Sequence, residues 1–459
     1  MTMKLSEIAG VVNGKWMGQD VAVESVSIDT RTLMPGQLYI AIKGKNFDGN
    51  DFLAQAEQAG AAAAMVHAGV STSLSQVMVD DSHLALAELA GAWRRKLTSL
   101  KVVGVTGSNG KTTVKEMIAA VLGTSGPVLF TQGNLNNDIG VPLTLLKLGS
   151  AHRFAVIEMG ANHPGEIAYT SRYAAADVVV ITNAGPAHIE GFGSLEGVAR
   201  AKGEIIETLS ANGCAVINRD DRYYDYWRGI AGARSIKSFG LHDQADVRAV
   251  TSKTDIRMKP NAVVAFETTF DVKLGQTLER FTLNLAGQHN VVNALAAIAV
   301  GLALGLPVKN IKDGLAAVKP VTGRLQPLRG RLGNLIIDDT YNANSASLKA
   351  GLDVLTHCSG EPWLVLGAFG ELGTDSPKMH EDMGGLIKSS GVVRLLATGS
   401  DAKNTVRSFG KGATFFDTQQ ELIKVLTHEL SGTETILIKG SRVQRMENVA
   451  AALVENFRN

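Results

Sequence analysis

The stretch VVGVTGSNGKTTV, residues 102–114, predicts a strand, a glycine-rich turn and a helix in direct succession. It opens with a β-branched apolar run, and from Val114 to Leu122 apolar residues recur at the three- and four-residue steps of an amphipathic helix. Gly123 then ends the helix in the usual C-terminal manner. This order is typical of open α/β sheets, so we expect a parallel α/β domain built around this stretch.

The turn inside the stretch matches the G-x-x-G-K-[ST] end of the phosphate-loop pattern, with two residues between the glycines instead of the commoner four. Backbone N–H groups of such a turn, and the positive end of the following helix, hold phosphate oxygens. We expect Lys111 to reach the β- and γ-phosphates and the Thr112 hydroxyl to bind Mg²⁺; the alternative is an ordinary glycine turn. The predicted nucleotide contacts are Gly107, Ser108, Asn109, Gly110, Lys111, Thr112 and Thr113.

Composition limits the class of protein and its partners. A chain of 459 residues suggests about three domains. Its 45 basic and 44 acidic residues give a net charge of +1, which favours neither nucleic acid nor an anionic membrane. Lys4 and Glu7 stand where a signal peptide needs its apolar segment, and we expect a cytoplasmic protein with no membrane insertion. Cys214 and Cys358 lack partners at zinc spacing and are expected to be reduced thiols.

The first 82 residues alternate short strand-like runs with turns and predict a small α/β domain. Two polar loops follow predicted strands, at residues 29–31 and 43–49. Their Arg and Lys side chains could clamp a diphosphate, and solvated turn residues are an equally good interpretation of the same spacing.

Residues 83–319 repeat the strand-then-helix order and place polar residues where predicted parallel strands end. Glu158 ends one such strand, where a carboxylate can complete a Mg²⁺ shell, cap a helix or face solvent. Residues 131–144, TQGNLNNDIGVPLT, predict a loop rich in hydrogen bonds. From spacing alone, His188 is an ordinary structural histidine and Lys202 a solvated lysine.

The predicted secondary structure changes twice in the remaining chain. Residues 246–285 predict antiparallel strands, and an apolar helix follows in which Asn290 either contacts a ligand or caps the N-terminus. A hinge at residues 320–324 precedes a second open, largely parallel α/β domain. Its strand ends carry polar residues, including Asp339, but no G-x-G-x-x-G fingerprint, so an independent dinucleotide site is not expected.

Taken together, the motifs resemble the Mur ligases, the ATP-dependent amide-forming enzymes of peptidoglycan precursor synthesis, over essentially the whole chain. They are TGSNGKTT at 106–113, IEMGAN at 157–162, NAGPAHIEGFGSLEGVARAKGEI at 183–205, GQHNVVNALAA at 287–297, GR at 323–324, DDTYNAN at 338–344 and KGSR at 439–442. Residues 131–144, DDTYNANS and the GELG at 370–373 further resemble the members that add D-alanyl-D-alanine to UDP-N-acetylmuramoyl-tripeptide. The alternatives are a sister amino-acid-adding or folate polyglutamylating ligase and, from a different class, a nucleotide-gated binding protein.

The resemblance implies a three-domain α/β architecture, and we expect a monomer. Residues 1–82 would form a UDP-sugar substrate domain, residues 83–319 a central ATP-binding domain with an antiparallel appendage, and residues 320–459 a Rossmann-like ligase domain. The chain departs from the family's sequence pattern at two places. Asn50 stands where the family often has histidine, and Ala368-Phe369 stands where it often has Asp-Met.

The resemblance also implies roles for single residues. Thr112 and Glu158 would bind one Mg²⁺, while His188 and a carbamylated Lys202 would hold a second metal. Asn290 would contact adenine, Arg324 the γ-phosphate and Asp339 the ribose. The expected catalytic set is Lys111, Glu158, His188, Lys202 and Arg324, and the candidate substrate contacts are Thr30, Arg31, Lys43, Asn134, Asn136, Asn137, Asn342 and Asn344.

Overall fold

The computed structural model describes residues 1–186, 189–257, 264–370 and 372–454 and divides into two compact units. The first unit comprises Met1–Ala184, Gly191–Ser238 and Ala296–Asn310. The second comprises Gly185–Glu190, Phe239–Leu295 and Ile311–Asn459. Among the described helices, none combines the length and the apolar character needed to cross a membrane.

The N-terminal part of the first unit is a small α/β layer. Its elements are β1 (Met3–Lys4), α1 (Leu5–Val11), β2 (Lys15–Met17), β3 (Ala22–Val23), β4 (Val26–Ser27), β5 (Leu38–Ile40), a 3₁₀ turn (Gly49–Phe52), α2 (Leu53–Gln58), β6 (Ala63–Val66), β7 (Ser75–Met78) and α3 (Ser82–Lys96). Five strands form one sheet in the order β2-β7-β6-β5-β4, parallel except for β2. The predicted small α/β layer is therefore present.

The central part of the first unit is built on a parallel sheet. Its elements are β8 (Lys101–Thr106), α4 (Lys111–Gly123), β9 (Val128–Phe130), α5 (Gly140–Leu146), β10 (Phe154–Glu158), α6 (Glu166–Ala174), β11 (Val178–Ile181), α7 (Ile189–Phe192), α8 (Leu195–Glu207), β12 (Cys214–Asn218), α9 (Tyr224–Ala231) and β13 (Ser235–Gly240). The parallel strands follow the order β12-β11-β8-β10-β9. Every residue of β10 and β11 is buried, because helices cover both faces, and this burial explains their continuous apolar runs.

An antiparallel ribbon opens the main part of the second unit, as the sequence predicts. It contains β14 (Val247–Arg257), β15 (Ala265–Leu274) and β16 (Thr277–Leu283), which pair in that order. Burial alternates strictly along β15 from residue 265 to 272, so one face of the ribbon is apolar. Two helices follow along the chain, α10 (Gln288–Ala303) and α11 (Val308–Ala316), and residues 296–310 of this stretch belong to the first unit.

The C-terminal part of the second unit is a six-stranded sheet with helices on both faces. Its elements are β17 (Gln326–Arg329), β18 (Leu335–Asp339), α12 (Ser345–His357), β19 (Glu361–Gly367), α13 (Ser376–Ser389), β20 (Arg394–Thr398), α14 (Ala402–Phe409), β21 (Ala413–Phe416), α15 (Gln419–Glu429), β22 (Glu434–Lys439) and α16 (Glu447–Leu453). The order is β17-β18-β22-β19-β20-β21, parallel except for β17. The apolar runs at residues 335–337, 364–366, 393–396 and 436–438 predict four of these strands, which are all present, and the short edge strands β17 and β21 are additional.

Candidate active site

The glycine-rich loop between β8 and α4 is shaped by two glycines. Gly107 has φ +145°, and a Cβ built there would lie 1.9 Å from the Thr182 Oγ1 atom. Gly110 has φ +82° and directly precedes α4. Any larger residue at position 107 would collide with β11's end, so both the turn and its close packing require glycine.

The end of the neighbouring strand β11 holds this loop in place. The Ser108 N–H donates to the Asn183 carbonyl (3.0 Å), and the Asn109 N–H donates to the Asn183 Oδ1 atom (2.9 Å). The Thr182 hydroxyl donates to the Asn109 carbonyl (2.6 Å). The loop conformation is therefore fixed by protein contacts, and α4 begins directly after the loop, with the positive end of its dipole beside it.

Lys111 lies across the same loop. Its Nζ atom donates to the carbonyls of Gly107 (2.7 Å) and Ser108 (3.3 Å). These bonds hold the ammonium beside the N-terminal end of α4, where phosphate oxygens would bind. Thr112 follows directly on the helix, and Thr113 is buried.

Glu158, the last residue of β10, is the buried carboxylate of the site, with only 2% of its surface exposed. Its Oε1 atom accepts a hydrogen bond from the Asn136 side-chain amide (2.8 Å), while Oε2 is buried and has no hydrogen-bond partner in the described residues. An unpartnered buried carboxylate oxygen is costly unless a cation binds there, and oxygen is the ligand that Mg²⁺ prefers. Glu158 therefore fits the predicted metal role.

The described residues contain no cluster of three or more His, Cys, Asp or Glu side chains that could hold a metal ion. Mg²⁺ commonly takes only one or two protein ligands and fills its shell with water and substrate phosphates. Glu158 and the Thr112 hydroxyl would be a protein contribution of that kind. The second-metal candidate His188 lies outside the described residues.

Lys202 departs from the expectation of a solvated lysine. It lies on α8 with 2% of its surface exposed, and its Nζ atom is 5.2 Å from the centroid of the Phe192 ring. Burial, and secondly the nearby charge of Lys111, lowers the pKa of Lys202 to about 7. The prediction of a solvated lysine was wrong, because Lys202 lies in the apolar stripe of α8 that faces the core.

The asparagine-rich loop contributes one side chain to the site. Asn136 supports Glu158, as described, and its carbonyl accepts the Gly160 N–H (2.8 Å). Asn137 turns the chain into α5 by accepting the Gly140 N–H (2.9 Å), and Asn134 is exposed. Substrate contacts from these three residues remain a prediction.

The N-terminal candidates lie in exposed loops. Arg31 pairs with Asp29 (Nη2–Oδ2 2.6 Å), and hydrogen bonds from Arg31 lower the pKa of Asp29 to about 2. Lys43 lies 3.9 Å from the Asp48 carboxylate, and Thr30 lies between Asp29 and Arg31 in the same turn. Their contact with a substrate also remains a prediction.

In the second unit, Arg324 lies in a turn that Asp339 holds. The Leu325 N–H donates to the Asp339 Oδ1 atom (3.2 Å), and Leu325 itself has φ +47°. The other Asp339 oxygen pairs with the buried Lys439 (2.5 Å). The Arg324 guanidinium stacks on the Tyr341 ring at 4.3 Å, so the turn fixes this cation in place.

The other predicted polar residues of the second unit have local partners. Asn290 lies inside α10, where its amide donates to the Ala286 carbonyl (2.7 Å) and its oxygen accepts from Asn293 (3.2 Å), so the helix-capping alternative is wrong. Asn344 instead caps α12. The Asn342 Oδ1 atom accepts the N–H of the next residue (2.9 Å). Ligand contacts from these residues are untested predictions.

One residue that the sequence analysis did not identify is Lys115, which is buried one helical turn beyond Lys111. Its burial could have been predicted from the sequence, because Lys115 lies three residues before Ile118 and seven before Leu122, within the apolar stripe of α4.

Three models of known protein families match successive parts of the chain. The Mur ligase family catalytic domain matches residues 22–94, the Mur ligase middle domain residues 105–301, and the Mur ligase glutamate ligase domain residues 323–442. These matches follow the order of the three regions predicted from the sequence.

Single proteins match over nearly the full length. The chain is 40% identical to UDP-N-acetylmuramoyl-tripeptide–D-alanyl-D-alanine ligase of Escherichia coli K12, covering 99% of both chains, and 34% identical to that of Bacillus subtilis, covering 95% and 94%. A crystal structure of MurF from Acinetobacter baumannii matches with a TM-score of 0.91 at 35% identity over 99% of both chains. MurF ligase of Thermotoga maritima in complex with ADP matches with a TM-score of 0.83 at 29% identity, over 94% and 97% of the chains. The predicted three-domain α/β fold class is confirmed, and this chain belongs to the Mur ligase family.

Proposed function

We propose that this protein is an ATP-dependent ligase that joins D-alanyl-D-alanine to UDP-N-acetylmuramoyl-tripeptide through an amide bond. The observation that carries the proposal is 40% identity over 99% of both chains to a ligase named for that reaction. The phosphate loop with Lys111, beside a buried Glu158 and Lys202, supplies the chemistry that such a ligase needs.

The first step would be phosphoryl transfer. The terminal carboxylate of the tripeptide attacks the γ-phosphate of ATP, the bond to the β-phosphate oxygen breaks, and an acyl phosphate and ADP form. Lys111 and the first-turn N–H groups of α4 would bind the phosphate oxygens, and we assign Arg324 to the γ-phosphate. Catalysis of this kind depends on positioning and electrostatic stabilisation more than on covalent chemistry of the protein.

The second step would form the amide. The amine of D-alanyl-D-alanine attacks the acyl carbon, the bond from carbon to the phosphate oxygen breaks, and inorganic phosphate leaves. The acyl phosphate hydrolyses readily in water, so the site must exclude solvent, and we expect domain closure to do this.

Two Mg²⁺ ions would assist, one held by Thr112 and Glu158 and one by His188 and a carbamylated Lys202. Bound Mg²⁺ supplies charge neutralisation on the transferring phosphoryl group. The unpartnered Oε2 atom of Glu158 supports the first assignment. The burial of Lys202 supports the carbamate, since an uncharged amine can take up CO₂ and the product is an anionic oxygen ligand.

A rescue experiment tests the carbamate. Lys202→Ala should lose phosphate release, and added short carboxylates should restore part of it by occupying the place of the carbamate oxygens. Lys202→Arg, which cannot form a carbamate, is the control that carboxylates should not restore. Absence of any rescue in the alanine variant would count against the carbamate.

The remaining assignments complete the proposal. Residues 1–82 would bind the UDP end of the substrate, with Thr30, Arg31 and Lys43 as contacts, residues 83–319 would bind ATP, and residues 320–459 would form the ligase domain. Asn290 would contact adenine and Asp339 the ribose. We place the reaction in the cytoplasm, where ATP and UDP-sugars are available, and expect a monomeric enzyme.

Phosphate release by the purified protein tests the function. We expect release only when ATP, UDP-N-acetylmuramoyl-tripeptide and D-alanyl-D-alanine are all present, with the pentapeptide product identified by mass spectrometry. Release supported by a single amino acid instead of the dipeptide would assign the protein to a sister ligase. Release that ignores both acceptor and amine would overturn the proposal.

A further inference from the structure

Lys115 is a buried cation that the proposed reaction does not use. Only 1% of its surface is exposed, although it lies on α4, the helix that begins with Lys111 and Thr112. Its Nζ atom pairs with Glu116 (2.9 Å) and lies 5.4 Å from the centroid of the Phe130 ring. A lysine is seldom buried to this degree unless its ammonium has a hydrogen-bond partner inside the protein.

That partner is the carbonyl of Thr131, which accepts a hydrogen bond from Lys115 Nζ at 2.7 Å. Thr131 is fully buried and stands where β9 ends and the asparagine-rich loop begins. Its N–H donates to the Val156 carbonyl (3.0 Å), which continues the pairing of β9 with β10. Lys115 therefore fastens α4 to the point at which this loop leaves the sheet.

Thr131 also contacts the metal candidate directly. The Glu158 N–H donates to the Thr131 hydroxyl (3.0 Å), which takes the place of the next backbone bond in the ladder. Five residues along the loop, Asn136 returns to donate its amide to the Glu158 Oε1 atom (2.8 Å). Glu158 is thus held at its backbone and at its carboxylate by one loop, and Lys115 ties the start of that loop to the helix of Thr112.

We propose that Lys115 is a positioning residue that sets the distance between the Thr112 hydroxyl and the Glu158 carboxylate, the two groups assigned to Mg²⁺. The proposal rests on the proposed function only for the identity of the cation. Groups that orient metal ligands commonly change metal affinity or activity by about 10- to 100-fold when they are removed. Lys115 would act in this way without touching the metal or the nucleotide.

Lys115→Met is the main test, because the methionine side chain has nearly the volume of lysine and is only one atom shorter, but cannot donate to Thr131. Its partner Glu116 is partly exposed, so no buried charge is left behind. Calorimetry would measure ADP binding with and without Mg²⁺. We expect the Mg²⁺-dependent gain in ADP affinity to fall at least about tenfold, with Mg²⁺-free affinity unchanged.

Three further variants accompany Lys115→Met, and the two at Thr131 keep the test decisive if Lys115→Met fails to fold. Thr131→Val removes the hydroxyl that Glu158 uses and should show the same loss, while Thr131→Ser keeps the hydroxyl and should retain the gain. Lys101→Met removes an exposed, ion-paired lysine at the far end of β8 and should behave like the wild-type protein.

Three outcomes would overturn the proposal. They are a normal Mg²⁺-dependent gain in folded Lys115→Met, an equal loss of ADP affinity with and without Mg²⁺, and a wild-type protein whose ADP affinity ignores Mg²⁺. Because the measurement uses only ADP and Mg²⁺, it is independent of the acceptor. Failure of the proposed ligase reaction would appear separately, as absent phosphate release by the wild-type protein.

Discussion

Replacing Lys202 with methionine should stabilise the protein while it abolishes turnover. The side chain is buried on α8 without a carboxylate ion pair in the described part of the chain, and burial lowers its pKa to about 7. In the unfolded chain the same ammonium is hydrated and keeps its ordinary pKa. Burial of the charged Lys202 side chain therefore costs folding free energy. Methionine has a similar volume and no charge, so the variant avoids this cost.

The size of the effect follows from proton linkage. Lowering the pKa from 10.5 to about 7 costs on the order of 4 kcal/mol of folding free energy at pH 7, at about 1.4 kcal/mol per pKa unit. Between the two pKa values the unfolded chain binds more protons than the folded protein, so wild-type stability rises with pH in this window. At pH 9 the remaining cost is on the order of 2 kcal/mol.

Urea unfolding in CO₂-depleted buffer would measure this difference. Tryptophan fluorescence suits the assay, because Trp16, Trp93 and Trp227 lie in the first unit with Lys202. We expect the methionine variant to be more stable at pH 7 and its advantage to shrink by about half at pH 9, whereas Lys147→Met, at an exposed lysine, should show no such trend. A less stable Lys202→Met variant, or an advantage independent of pH, would refute the reasoning.

Two further predictions concern the loops around the site. Lys111→Ala should abolish phosphate release while the far-ultraviolet circular dichroism stays that of the wild-type protein; near-normal release would remove Lys111 from the mechanism. The His83 Nε2 atom lies 3.1 Å from the carboxylate of Asp138 in the asparagine-rich loop, and this pairing raises the pKa of His83 and lowers that of Asp138. The pair therefore stabilises the loop at pH values above the ordinary pKa of Asp, and this stabilisation is lost as the pH rises through the raised pKa of His83. It amounts to at most about 1 kcal/mol, because the pair is partly exposed. Asp138→Asn should return the His83 pKa toward about 6.5 in an NMR titration, and an unchanged value would show that the pair does not form.

The order of strands and helices could be predicted because it depends on local pattern. Fully buried parallel strands such as β10 and β11 appear in the sequence as short apolar runs followed by polar residues. The antiparallel ribbon was recognisable from its alternation. Edge strands such as β21, with no fully buried run, give a weaker pattern, and the sequence analysis missed that strand.

The candidate site was predictable only in part, because its supporting contacts join residues that are distant in sequence. The phosphate loop follows a contiguous motif, so its residues could be named directly. Its anchor Asn183 lies more than seventy residues away, and nothing local indicates that it binds the Asn109 N–H. Lys202 presents a different case: its residue type alone indicates a solvated side chain, while its position in the apolar stripe of α8 places it in the core.

Two acidic residues show most clearly what the sequence could not distinguish. Glu158 and Asp339 each end a buried parallel strand, and by pattern both are equally good ligands. One of the two strands beside β18 is β22, and its register places Lys439 directly opposite Asp339. That carboxylate therefore receives a buried counter-ion and uses its other oxygen to hold Leu325. The residue opposite Glu158 is Val105, which supplies no charge, and one Glu158 oxygen keeps no protein partner among the described residues. The cross-strand neighbour therefore gives Asp339 a structural role in the Arg324 turn, beside its proposed contact with the ribose, while Glu158 remains the carboxylate suited to a cation.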